Sequence, residues 1–100
     1  MTIIYITCKD IKEAKKISKH LLNKRIIACA NIHPIESMYW WKGKIVEELE
    51  TVIIAKSSSK NFNKIKEEVK KIHSYEIPCI LKIDSEANEG YDEWVRKEIR

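Results

Sequence analysis

The chain opens on Thr2-Ile-Ile-Tyr-Ile-Thr-Cys8, a run of β-branched, aromatic or sulfur-bearing residues without a charge. This run predicts a strand, and its continuous apolar character predicts burial on both faces. Asp10 follows as an N-cap with Glu13 three residues on, a capping-box spacing. Ile11, Ala14, Ile17, Leu21 and Leu22 then recur at helical intervals and predict a helix from about Ile11 to Lys24. Ile26 to Trp41 is rich in Ile, Ala, Tyr and Trp and reads as extended chain. Lys42-Gly43 makes a tight turn, with glycine supplying a positive φ, and Ile45 to Lys56 runs back. A two-residue loop sets Trp41 opposite Lys44 and Trp40 opposite Ile45. Pro34 has no N–H to give to a ladder, so it marks a bulge or an edge.

One of Ser57, Ser58 and Ser59 caps a second helix, along which Phe62, Ile65, Val69 and Ile72 form a regular apolar stripe. Ser74 to Pro78 breaks it. Cys79 to Ile83 is a fourth strand, and Asn88 starts a last helix with Tyr91, Trp94, Val95 and Ile99 on one face. The order is βαββαβ plus a C-terminal helix. That is the α+β, ferredoxin-like pattern of one domain over residues 1–100, an antiparallel sheet with helices on one face.

The hairpin is too long for such a body. About 14 residues at ~3.3 Å each give a strand of roughly 45 Å. A compact domain of this length has a radius of gyration of ~13 Å and a diameter near ~33 Å. The hairpin therefore projects, and its tip carries Tyr39, Trp40 and Trp41. A projecting ribbon with exposed aromatics and free edges is an aggregation hazard unless it is paired. These three residues are the expected interface of a homo-oligomer.

Composition narrows the class. With 44% hydrophobic and 34% charged residues, the chain is too apolar for a disordered segment and too charged for a membrane protein. The net charge of +4 is local: Lys9 to Arg25 holds seven basic and two acidic residues. This excess sits on one predicted helix without interleaved aromatics, so it reads as a solvated face, and neither nucleic acid nor membrane is an expected partner. The three cysteines, Cys8, Cys29 and Cys79, are odd in number and form no C-x-x-C pair. They fit neither a disulfide framework nor a zinc knuckle, and the cytoplasm is the expected location. The loop after the first strand, Thr7-Cys8-Lys9-Asp10, lacks the second thiol of a metal chaperone and the arginine of a phosphate cradle.

Six blocks remain unusual: Ala28-Cys29-Ala30-Asn31-Ile32, Ser37-Met-Tyr-Trp-Trp-Lys-Gly-Lys44, Glu50, Lys56-Ser57, His73-Ser-Tyr-Glu-Ile-Pro78 and Asn88-Glu-Gly-Tyr-Asp-Glu-Trp94. In this order they resemble the CutA divalent-cation tolerance family over essentially the whole chain, the Tyr-Trp-Trp-Lys-Gly-Lys hairpin most specifically. The resemblance implies a tightly packed trimer of ferredoxin-like subunits that share strands. It also implies a role with copper or another divalent cation, no organic cofactor and no established reaction. Cys29 and His73 are the residues that match as metal ligands. Ser74 stands where the family usually has proline, Ile72 where some relatives have a second histidine, and Ile6 where some have a cysteine implicated in copper binding.

Each of these residues also has an ordinary structural role. A cysteine between alanines commonly packs as a small hydrophobe, although its thiolate suits a soft ion such as Cu(I). His73 ends a helix, where the dipole favours a cation. Glu50, Lys56 and Tyr75 are expected to line an intersubunit cleft for a small anion or a metal, or to form a hydrogen-bond network. No nucleophile has a base and an orienting partner at readable spacing, so no catalytic residue is expected. Two functions follow: a metal-binding tolerance trimer without catalysis, or a PII-like signalling or adaptor trimer.

Overall fold

A computed structural model describes all 100 residues. In chain order the elements are β1 (Thr2–Cys8), α1 (Ile11–Asn23), β2 (Cys29–Trp41), β3 (Lys44–Ser57), a 3₁₀ turn (Ser59–Asn61), α2 (Phe62–Ile72), β4 (Ile80–Asp84) and α3 (Glu89–Glu98). The four strands form one sheet in the order β2-β3-β1-β4. All pairings are antiparallel. This is the expected ferredoxin-like arrangement, with β1 and β3 central and β2 and β4 at the edges.

Asp10 caps α1 by accepting the Glu13 N–H at 2.8 Å. The reciprocal half of the capping box differs: the Glu13 carboxylate accepts from Lys9 N at 3.0 Å and Ser74 N at 2.9 Å. The helix closes on Arg25, which takes φ 58°. Its N–H bonds to the Leu22 carbonyl, and that of Ile26 bonds to Leu21, so these two carbonyls of the last turn are satisfied. Of the predicted stripe, Ala14, Ile17 and Leu21 are buried while Ile11 and Leu22 are exposed. Ser58 begins the 3₁₀ turn without a side-chain cap bond. Ser57 instead donates to the Ile26 carbonyl at 2.6 Å, tying β3 to the end of α1's loop.

Paired strand residues share a face, so the registers define two sides of the sheet. Ile4, Ile6 and Cys8 of β1 and Ile53 and Ala55 of β3 point to α1 and α2, where they form one core with Ile17, Leu21, Ile65 and Val69. Ile3, Tyr5 and Thr7 point the other way and are only partly buried. The expectation that β1 is buried on both faces is therefore corrected: within one chain two helices cover one side, and the other stays largely open. α3 reaches the open side at one end, where Tyr91 Oη lies 3.1 Å from Cys29 Sγ.

The hairpin projects as its length requires. The molecule measures 44 × 25 × 21 Å with a radius of gyration of 14.0 Å. Trp41 faces Lys44 and Trp40 faces Ile45, the register set by the two-residue turn. Pro34 lies on the outer edge strand opposite Thr51, in an unbroken ladder without a bulge. Beyond Glu50 the ribbon leaves the body. Met38, Trp40 and Leu49 are 70%, 71% and 76% exposed on one of its sides. Tyr39 and Trp41 are more sheltered on the other.

Candidate functional site

The inner half of the hairpin, the open face of β1 and the loop after α2 enclose a groove of about 880 Å³. β3 supplies Glu48 and Glu50, which share a face because they stand two apart. β2 supplies Ile35, Tyr39 and Trp41, β1 supplies Tyr5 and Thr7, and the loop supplies Tyr75, Ile77 and Cys79. Tyr75 Oη donates to Glu50 Oε2 at 2.5 Å. Tyr39 Oη donates to Glu48 Oε1. Burial, then the Glu50 carboxylate it already bonds, push the Tyr75 phenol upward. Tyr39 is pushed up to about 12, chiefly by its bond to Glu48. Both phenols thus stay protonated and act as donors. Burial and then Glu50 also raise the Cys79 thiol. Glu36 and Glu76 complete four carboxylates around the groove, and no Lys, Arg or His lines it.

A second cluster lies on the helix side, where the ends of β1 and α2 meet the first turn of α1. One ligand atom each from Cys8, Glu13 and His73 lies within 4.8 Å of the others. Cys8 is fully buried, and burial followed by the charge of Glu13 pushes its thiol up to about 12. Burial raises the Glu13 carboxyl, but hydrogen bonds from Ser74 and Lys9 and the nearby His73 outweigh it and hold the group below its ordinary value. His73 Nε2 donates to the Thr7 carbonyl at 2.8 Å, and its Nδ1 accepts from Tyr75 N at 3.0 Å. A thiol, an imidazole and a carboxylate are the mixed donors that borderline divalent ions accept. Types and spacing fit. Coordination would require the thiol proton to leave and one of the two His73 ring hydrogen bonds, to Thr7 O or from Tyr75 N, to open.

The sequence-predicted residues are redistributed. His73 meets Cys8 and Glu13, not Cys29. Cys29 pairs with Lys56 of β3, whereas Thr7, which accepts the His73 bond, pairs with Val52. Four residues of strand, ~13 Å, separate them along β3, so within one chain Cys29 and His73 form no common site. Glu50 and Tyr75 do meet. Lys56 does not join them: it stands six residues along β3 and donates to Asn31 Oδ1. Tyr39 and Trp41 line the groove, while Trp40 points to the opposite side of the ribbon. Cys8 and Glu13 are the cluster residues that sequence reasoning missed, and Cys8 could have been placed. Its parity with Ile4 and Ile6 puts it on the helix-covered face, next to the capping turn that holds Glu13.

The sheet order, the two helices on one face and the projecting ribbon define a ferredoxin-like α+β domain with an acidic groove beneath its hairpin. The chain belongs to the CutA family: residues 2–98 match the CutA1 divalent ion tolerance protein. A divalent-cation tolerance protein CutA from Archaeoglobus fulgidus is 41% identical over 97 residues, covering 96% of this chain and 95% of the relative. Its solved structure, described as a periplasmic protein, superposes with a TM-score of 0.96. The crystal structure of CutA1 from Pyrococcus horikoshii is 40% identical, covers 100% of this chain and 99% of its own, and has a TM-score of 0.95. A protein from Nostoc described as PII-like CutA is 26% identical, covers 100% of this chain and 98% of its own, and has a TM-score of 0.92.

Proposed function

We propose that this protein is a homotrimeric binder of divalent cations, Cu(II) or Zn(II) in class, acting in the cytoplasm without catalysing a reaction. The observation that carries the metal reading is the convergence of Cys8, Glu13 and His73 within 4.8 Å. Family membership supports it, since the family is described by divalent-ion tolerance. Catalysis has no support in this cluster, because a thiol held near 12 is a poor nucleophile at neutral pH. Anaerobic calorimetry and native mass spectrometry with Cu(II) and Zn(II) test the reading. Cys8→Ala and His73→Ala abolish binding, and Cys29→Ala leaves it intact. Loss of binding in Cys29→Ala would replace this cluster with a Cys29–His73 site formed between copies.

The trimer is supported by the exposed hairpin, with Trp40 71% accessible in the single chain, and by the half-open sheet face. Light scattering at micromolar concentration checks it, and a stable monomer removes it. The free state of Cys8, Cys29 and Cys79 supports a reducing compartment, which subcellular fractionation tests. A second reading, a PII-like trimer that takes a small ligand, is favoured by the size of the groove.

A further inference from the structure

The two helices that cover the sheet carry most of the positive charge. Lys9 to Arg25 holds seven basic and two acidic residues, and Lys60 to His73 holds five and two, so this layer is +8. The rest of the chain holds seven basic and eleven acidic residues and is −4. Along the sequence the excess on α1 stands alone and reads as a solvated face. Folding sets α2 beside it, joined by His20 Nε2 and Glu68 Oε1 at 2.8 Å, and so builds one basic surface from both helices. Two of the four acids in the layer, Glu13 and Glu68, are buried beneath it. The layer lies opposite the open sheet face, so assembly through that face and the hairpin leaves it outward.

Lys12, Lys15, Lys16 and Lys19 of α1 and Lys70 of α2 are exposed and stand in none of the protein's ion pairs. On α1 they recur at i, i+3, i+4 and i+7, so each has like charges as its neighbours on the helix surface, an arrangement that destabilises a helix. α2 shows the ordinary alternative: Lys64 reaches Glu67 at 4.0 Å and Glu68 at 3.6 Å, three and four residues on. A stripe that works against its own helix breaks a local rule of the fold, and such departures concentrate where a surface has a function. An anionic partner relieves this repulsion.

The side chains narrow the partner. Of the twelve basic residues in the layer, eleven are lysines, point charges that take phosphate without a fixed fork geometry. The one arginine, Arg25, is held by Glu98 at 2.8 Å. Phe62 is the only Phe, Tyr or Trp in the layer, and Lys66 Nζ lies over its ring at 4.8 Å, so there is no platform on which bases could stack. The apolar stripes of both helices are buried in the core, and the exposed Ile11 and Leu22 stand near opposite ends of α1, so no apolar face is left to enter a lipid surface. Charge alone is offered. Among phosphate polymers such a surface favours the one with the densest charge, whose phosphates are joined without sugars or bases.

We propose that the outer face of α1 and α2 binds inorganic polyphosphate, the chain lying along Lys12, Lys15, Lys16 and Lys19 and reaching Lys70 on the neighbouring helix. This goes beyond the metal reading, and none of the five lysines belongs to the Cys8 cluster.

Fluorescence anisotropy of dye-labelled polyphosphate with the full chain, in 150 mM salt, about physiological ionic strength, tests the proposal. The expected result is saturable binding that weakens steeply as salt is raised. It should weaken severalfold in each of the double variants Lys12→Gln/Lys16→Gln and Lys15→Gln/Lys19→Gln, and at least tenfold when the four changes are combined. Lys82→Gln/Lys97→Gln removes the same charge as one double variant from outside the helix layer and should leave binding within twofold of the parent. Circular dichroism confirms that each variant is folded, and the two double variants keep the test valid if the combined one unfolds. Absence of saturable binding would overturn the proposal. So would an equal loss in the Lys82/Lys97 variant, which would assign the effect to net charge and not to this face. Tighter binding of single-stranded poly(U) RNA or of phosphatidylserine vesicles, at matched phosphate concentration, would give the face to a nucleic acid or a membrane instead and overturn it as well.

Discussion

Tyr75 donates its phenolic hydrogen to Glu50 across 2.5 Å and so anchors the loop after α2 to the middle of β3. The bond joins the only two of the three expected cleft residues that meet. A hydrogen bond to a charged group is worth ~1.5–3 kcal/mol. Tyr75→Phe is therefore expected to lower unfolding stability by about that amount in urea titrations. Because both burial and Glu50 oppose its ionisation, Tyr75 should also remain protonated after the other tyrosines have titrated, as ultraviolet absorbance above neutral pH will show. A tyrosine titration in which every phenol ionises together would contradict the pairing.

Glu68 makes the protein sensitive to acid. Its hydrogen bonds to Lys71 and His20, and the charge of Lys24, lower its carboxyl to about 2. Lys64 adds a further contact at 3.6 Å. A depressed carboxylate stabilises the fold above its unfolded value near 4.5, and that contribution is lost as pH falls toward about 2. The melting temperature of the wild type should drop across this window. Glu68→Gln should start lower at neutral pH and show a flatter acid limb. Parallel limbs in the two proteins would assign the acid loss elsewhere.

The hairpin turn stores a correctable strain. Lys42 and Gly43 take φ 48° and 78°, the pair of left-handed residues that a type I′ turn needs. Gly43→Ala puts a Cβ into this conformation at a cost of ~1–2 kcal/mol, although nothing stands within 4 Å to clash with it. Lys42→Asn is expected to stabilise by a few tenths of a kcal/mol to ~1 kcal/mol, since asparagine tolerates the region better. Thermal melts of both variants give the two signs, and a neutral Gly43→Ala would deny the turn its backbone conformation.

Trp40 reports on assembly. It is 71% exposed, faces Ile45 on the far side of the ribbon and does not line the groove. Placed in a buried interface, such a residue commonly contributes ~2 kcal/mol or more to association. Trp40→Glu should shift the protein toward monomer in sedimentation velocity and leave the monomer folded. An unchanged oligomer would move the interface off this face of the hairpin.

Much of the fold was legible because its signals are local. The helix stripes, the Lys42-Gly43 turn and the Trp41–Lys44 register all depend on neighbours within a few residues. What stayed hidden depends on which strand end meets which loop. Glu13 looked like half of a capping box, yet one of its oxygens goes to Ser74, 61 residues away. Cys29 and His73 were paired by motif, whereas the strand registers set them near opposite ends of β1. Lys56 shares a face with Glu50 by parity but not a neighbourhood, because strand rise separates them. The open side of β1 misled for another reason: an apolar run states that burial is wanted, not whether the covering partner belongs to the same chain.

The unbroken ladder from Cys29–Lys56 to Trp41–Lys44 also limits how this protein can change over evolutionary time. An insertion in one strand alone creates a bulge. One residue added to each strand flips every side chain beyond it and exchanges the sheltered Tyr39 and Trp41 with the exposed Trp40. Only additions or deletions of two residues on each strand preserve both faces. The ribbon should therefore vary in length among relatives in quantised steps of ~7 Å, each step moving the aromatic tip outward or inward without rotating it.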